Sequence, residues 1–392
     1  MRPRKQRKPR KTTPATRTPS LLDLFPGHRK GAYLQSASQA LANSLTELGR
    51  AYRHRGLVLY IGTGVPRSAG LPSWADLVRS LTVRMMTRKV ESAISALGEL
   101  EEEARWQLFD ELYEDLQVNQ PSDKPILMLA RSLKDQFGEG LPGEVARVLY
   151  RRFRARPRKV RTDSAVRKVR RSTEPFPAEW LNRYPLLEAV AALARAERDA
   201  KGVQAIVNYN YDDLLEEYLK AQKIKCMTVV SGGDRVPDGV LPSYHVHGLI
   251  RASDYLAKGP GARVQARGNF VFSEDEYHAE YSDPYRWSNM TQISHLGRYT
   301  GLFIGLSMED PNIRRLIDVT HRQYPETRNF AILTRRQSLA RGKDDKRALL
   351  RNLFEEVETT SFERIGVGVL WVDRHEDTPG LLLKIIKGGD RP

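Results

Sequence analysis

From residue 31 the chain alternates apolar and polar positions in a readable way. In GAYLQSASQALANSLTELGRAYRHRG (31–56) apolar residues recur every three or four positions and stop at Gly56, as in an amphipathic helix with a glycine terminator. LVLYIGTG (57–64) follows, a buried strand running into glycines. Residues 74–153 return to helical spacing, and ELEEEARWQLFDELYEDL (99–116) forms an amphipathic helix whose carboxylates read as a solvated face. Pro142 and Gly143 break this region, and PAEWLNRYPLLEAVAALARAERDA (177–200) predicts one more helix. Beyond residue 203 the period shortens. Strands are expected at 203–209, 225–231, 243–250, 269–273, 301–307, 329–334 and 367–372, with helices at 211–221, 287–298, 312–320 and 344–356. Near-continuous apolar strands alternating with helices predict an α/β layered fold with a largely parallel sheet, helices on both faces, and a large helical insertion at about 78–200. The chain has no internal repeat.

Composition narrows the classes. Of 392 residues, 64 are Lys or Arg and 48 are Asp or Glu, and the excess is local. Residues 1–17 hold eight basic residues and no acid, residues 151–171 hold eleven and one, and the remaining 45 basic and 47 acidic residues nearly cancel. Such blocks favour polyanions, so nucleic acid or an acidic partner surface is the functional reading. A solubilising tail and an exposed loop are the plainer one, since Phe153 is the only aromatic in either block. Residues 1–24 read as a flexible basic tail: Pro3, Pro9, Pro14 and Pro19 interrupt any presequence-like helix, and no apolar signal core is present. A single cysteine, Cys226, excludes an intramolecular disulfide and a cysteine zinc ribbon. The longest apolar runs fall far short of the roughly 20 residues of a membrane span. The expectation is a soluble cytoplasmic protein that makes no use of a membrane.

Four short constellations carry candidate chemistry. LVLYIGTGVPRSAGLPSW (57–74) places Gly62 and Gly64 after a strand, where backbone approaches a pyrophosphate closely, although many such turns are plain connections. VNYNYDDLLEEYL (207–219) ends a strand on Asn210 and opens a helix with Asp212, which capping alone explains. YHVHG (244–248) sets His245 and His247 on one strand face. With no further ligands in view, a metal is not expected there, and one histidine at a strand end suits a general base; a satisfied core histidine competes with it. GLFIGLSMEDPNIRRLI (301–317) ends a strand at Gly305 and Ser307, and Asp310 with Pro311 starts a helix.

In this order, the four motifs closely resemble the sirtuin-like NAD hydrolase domains of prokaryotic antiphage defence systems. The resemblance covers about 56–320 apart from the insertion, and implies a Rossmann-like domain over 25–388 that cleaves the nicotinamide–ribose bond of NAD, with no metal. It also implies roles. Gly62, Thr63 and Gly64 flank the dinucleotide phosphates, Asn210 positions ribose and water, and Asp212 contacts the nicotinamide carboxamide. His247 acts on a ribose hydroxyl, and Gly305 with Ser307 holds the adenosine side. Such proteins work as homo-oligomers, some with a HerA-type hexameric ATPase, which the basic segments would suit, as they would nucleic acid. Two departures stand out. The family usually reads GAGVS where this chain has GTGVP (62–66), and Ala75 stands where deacylating sirtuins carry an arginine. The missing zinc cysteines argue against deacylation. A catalytically weak NAD- or ADP-ribose-binding regulatory module associated with nucleic acid is the alternative.

Overall fold

In the computed structural model, residues 30–93, 126–153, 183–195, 201–256, 263–335 and 345–387 are described, together with Ala104, Gln107, Glu111 and Phe176. The basic tail at 1–24, most of the helix expected at 99–116, the bulk of the 151–171 run, and both ends of the helix expected at 177–200 lie outside them.

The chain runs through α1 (Lys30–His54), β1 (Leu57–Ile61), α2 (Gly64–Ser68), α3 (Trp74–Ala93), α4 (Ile126–Phe137), α5 (Leu141–Tyr150) and α6 (Pro185–Ala194). It continues through β2 (Val203–Asn208), α7 (Leu214–Ala221), β3 (Cys226–Val229), β4 (Leu241–His245), α8 (Ala252–Leu256), α9 (Glu274–Ser282) and α10 (Trp287–Arg298). It closes with β5 (Thr300–Ile304), α11 (Pro311–Gln323), β6 (Asn329–Thr334), α12 (Asp345–Glu363), β7 (Val367–Val372) and α13 (Thr378–Lys387). The seven strands form one parallel sheet in the order β3-β4-β2-β1-β5-β6-β7.

β1 lies at the centre, paired with β2 and β5, and all five of its residues are buried. Its unbroken apolar run follows from that place, because a central parallel strand is covered on both faces. Leu57, Leu59 and Ile61 point into a core shared with α1, α3, α5, α6, α7 and α13, while Val58 and Tyr60 face a second core with Leu296 of α10 and Ile313, Leu316 and Ile317 of α11. The described helices of the insertion therefore thicken the first of these faces. The chain leaves β1 toward the first core and leaves β5 toward the second. In open parallel sheets, ligands bind at the carboxyl ends of two strands whose connections diverge in this way.

Three expectations need correction. Residues 269–273 form no strand. Val271 donates its N–H to the His247 carbonyl at 3.1 Å, Phe270 stacks on Phe272 at 5.8 Å, and Val271 and Phe272 are buried in a loop leading into α9. The strand expected over 243–250 stops at His245, where Gly248, at φ +86°, donates back to the His245 carbonyl and closes a turn. Pro142 does not break the helical region: it sits in the first turn of α5, where its missing N–H costs nothing, and the break falls at Gly138–Gly140 just before it.

Candidate active site

The carboxyl ends of β4, β2, β1 and β5, four neighbours in the sheet, carry the four motifs. Gly62, Thr63 and Gly64 follow β1, Asn210 and Asp212 follow β2, His247 follows β4, and Gly305 and Ser307 follow β5.

The glycines serve first to join two loops. Gly62 donates to the Ile304 carbonyl and Gly64 to the Gly305 carbonyl, each at 2.9 Å. A Cβ on Gly62 would meet the Gly305 oxygen at 2.5 Å, and one on Gly64 would meet the Gly305 Cα at 2.6 Å. Gly305 itself stands at φ +69°. The amides expected to face a phosphate are thus committed to the β5 loop, and among 62–65 the N–H of Thr63 is the one with no partner among the described residues. Thr63 is half-buried and Ser307 exposed; the Ser307 hydroxyl accepts the Glu309 N–H at 3.4 Å.

Beside this junction lies a polar knot that sequence reasoning did not foresee. Asn210 is 4 % exposed. Its Nδ2 donates to the Gly62 carbonyl at 3.2 Å and its N–H to Asn208 Oδ1 at 3.0 Å, while its own Oδ1 is buried without a partner. A buried, unanswered amide oxygen is costly, and functional sites are where such groups persist. Behind it, Glu216 Oε1 accepts from Asn208 Nδ2 at 3.1 Å, from the Ser243 hydroxyl, and from His245 Nε2 at 2.9 Å. Burial would push Glu216 up, but the His245 charge and these bonds bring it below its usual value. Burial likewise pulls at His245 from the other side, and the Glu216 carboxylate holds the imidazole above its ordinary value.

Asp212 accepts the Leu214 N–H at 3.2 Å and so does cap-like work at the head of α7. Burial, then the Glu216 charge, push its carboxyl up to about 7. Asp213 accepts from Ala252 N at 3.0 Å and the Tyr150 hydroxyl at 3.3 Å, and burial raises it to about 7 as well. Asn208, Asn210 and Asp212 converge with Val65, Pro66 and Leu187 on a crevice too narrow to admit a water molecule.

The two histidines part company. His245 ends its strand inside the knot, whereas His247 stands in the following turn between the rings of Tyr209 (centroids 5.2 Å) and Tyr277 (5.6 Å). They do not share a face toward a common ligand, and among the described residues no group of three or more His, Cys, Asp or Glu side chains could hold a metal ion. Burial lowers the His247 imidazole below its ordinary value, which leaves the ring neutral at physiological pH, and it makes no hydrogen bond with a described residue. Tyr209 connects the two parts: it packs on His247 and precedes Asn210 in the chain. Glu216, Asn208, Ser243 and Tyr277 are the site residues that the sequence did not announce. Only Glu216 left a trace, as an acid in the first turn of α7.

Residues 204–357 match the family model of the SIR2-like domain. The matched stretch begins in β2 and ends within α12. It contains Asn210, Asp212, His247, Gly305 and Ser307, while the Gly62–Gly64 turn precedes it. This supports a sirtuin-like family and NAD-related chemistry in general terms. Among curated proteins, none matches the chain.

Proposed function

We propose that the protein hydrolyses NAD, with water and NAD giving ADP-ribose, nicotinamide and a proton. The observation that carries this reading is the buried, unpartnered Oδ1 of Asn210 at the carboxyl ends of the central strands, with the neutral His247 after the neighbouring strand β4 and packed on Tyr209, the residue before Asn210. The bond from ribose C1′ to the pyridinium nitrogen breaks with its electron pair going to nicotinamide, which leaves neutral, and water oxygen bonds to C1′. Such a leaving group needs orientation and dry surroundings more than an acid. Asn210 Oδ1 accepts a hydrogen bond from the attacking water or a ribose hydroxyl, and the neutral His247 ring takes the proton that the water gives up, relayed by a ribose hydroxyl that is reprotonated in the same step, and passes it to solvent. Asp212, raised to about 7, is partly protonated near neutrality and suits a neutral carboxamide better than a fixed charge would.

In the cell the reading extends to NAD depletion in antiphage defence by a homo-oligomer, with a HerA-type ATPase as partner and the basic segments meeting that partner or nucleic acid. Pro66, which lines the crevice beside Asn210 and has no N–H to offer a phosphate, favours the second reading, a regulatory module that binds NAD or ADP-ribose without turnover. One experiment separates them: nicotinamide release from NAD by the purified chain, alone and with DNA or an ATPase partner, beside Asn210→Ala and His247→Ala. Release that each variant abolishes while remaining folded supports hydrolysis. Wild-type release that both variants retain removes the assigned site, and NAD binding without release under every condition favours the regulatory module.

A further inference from the structure

The chemistry above employs His247 and leaves the other histidine of the motif, His245, without a task, although it is the better connected. His245 is fully buried at the end of β4. Its Nε2 lies 2.9 Å from Glu216 Oε1 and its Nδ1 3.1 Å from the backbone carbonyl of Asn210. A carbonyl oxygen and an ionised carboxylate are acceptors only, so each ring nitrogen presents a proton and the side chain stands as an imidazolium. Asn208 holds the other end of the same residue: its Oδ1 takes the Asn210 N–H, and its Nδ2 is tied to the same Glu216 oxygen. Asn210 is therefore gripped at N–H and at C=O by two side chains that share one anchor. Its side-chain oxygen is the atom left over.

A buried ion pair is weak evidence for stability, because an apolar pair of the same volume often does as well. What a charged pair supplies here is a fixed direction. We propose that His245, paired with Glu216, is a positioning residue that clamps the Asn210 backbone and so keeps the Asn210 side-chain oxygen aimed into the crevice. The proposal rests on the hydrolase reading of that crevice. The ionisable groups that face the pair are Asp212 and Asp213, ahead of α7, and Cys226 on β3; all three interact with the Glu216 charge, and Asp212 with His245 as well.

The test uses the full chain with NAD as the probe. His245→Phe, which removes both hydrogen bonds, is expected to lower kcat about 100-fold with KM changed less than about 3-fold, since an oxygen misplaced by about an ångström acts on the reacting atoms. The double variant Glu216→Gln/His245→Gln re-forms both bonds with neutral amides and is expected to regain at least about 10-fold of that loss. A folded His245→Phe with wild-type kcat overturns the proposal, as does a loss confined to KM. Where His245→Phe does not fold, the double variant decides: folded and within about 10-fold of wild type supports the clamp, and folded with a loss beyond about 100-fold overturns it. A second readout is independent of turnover. Nitrogen-15 spectra of the histidine rings at about pH 8 are expected to show both His245 nitrogens protonated, and Glu216→Gln to return the ring to its neutral form. If wild-type protein releases no nicotinamide, the hydrolase reading fails by itself and the ring spectra still judge the clamp. A neutral His245 in the wild-type chain overturns it.

Discussion

Placing a methyl group on Gly305 tests whether the β1–β5 loop junction holds the crevice together. Gly305 stands at φ +69°, and a Cβ there would lie 2.8 Å from the Val65 nitrogen and 2.9 Å from the Gly64 Cα, both backbone atoms that cannot rotate away. The left-handed conformation costs a non-glycine residue about 1–2 kcal/mol. Forcing packed loops apart adds about 1–3 kcal/mol, so Gly305→Ala is expected to lose about 2–5 kcal/mol. Gly70 provides the control. It stands at φ +86°, but its nearest neighbour is the Arg152 guanidinium at 3.5 Å, the end of a flexible side chain. Gly70→Ala therefore isolates the conformational cost of about 1–2 kcal/mol. Urea unfolding followed by tryptophan fluorescence, with both variants compared at a common slope, gives the steric part as their difference. If Gly305→Ala is no less stable than Gly70→Ala, the close contact of the two loops does not bear on stability, and the glycines would have to be explained by a ligand alone.

Other outcomes are expected to follow from the site. Asp212 and Asp213 ionise near pH 7 in the folded chain against 3.8 when unfolded. The folded state thus binds more protons between those values, and its stability, full below about pH 4, falls as pH rises toward 7. Asp213→Asn keeps an acceptor oxygen for Ala252 and Tyr150 and is expected to flatten part of that fall, read as melting temperatures at about pH 5 and about pH 8; an unchanged slope contradicts it. Pro66 gives its carbonyl to Ala69 and Leu71 and has no N–H. Pro66→Ser keeps that carbonyl, adds a donor and slims the crevice wall, so KM for NAD is expected to drop about 3–10-fold, the worth of one hydrogen bond. An unaltered KM would show that this residue does not limit entry.

Much of this architecture was legible because parallel strands in the middle of a sheet are written plainly. The segments at 329–334 and 367–372 and the helix at 287–298 stand where the apolar pattern put them. Those that misled did so for reasons of context. Residues 269–273 are as apolar as a strand, but their burial comes from covering the His247 turn, and composition does not distinguish the two. α2 is only five residues long and contains a proline, below the length at which periodicity speaks. The positions that form the candidate site were readable only in part. Asn210, Asp212 and His247 lie just beyond strand ends, which local sequence signals. The Glu216–His245 pair joins residues 29 apart through the order of the sheet, and Glu216 looked like an ordinary helix acid until β4 was set beside β2. His245 and His247 were expected on one face because a strand was expected to continue; it ends between them.

The central place of β1 has a consequence for how the chain is made. Leu57 pairs with Val203 on one side and with Thr300 on the other. At the usual pace of about 5–20 residues per second, about 7–30 s of synthesis separates β1 from its first neighbour, and still longer from its second. Throughout that interval LVLYI must emerge with no strand to pair with. The helices of the insertion, translated in the meantime, are what the cell has at hand to shelter it, so their removal is expected to show first in the yield of newborn soluble protein.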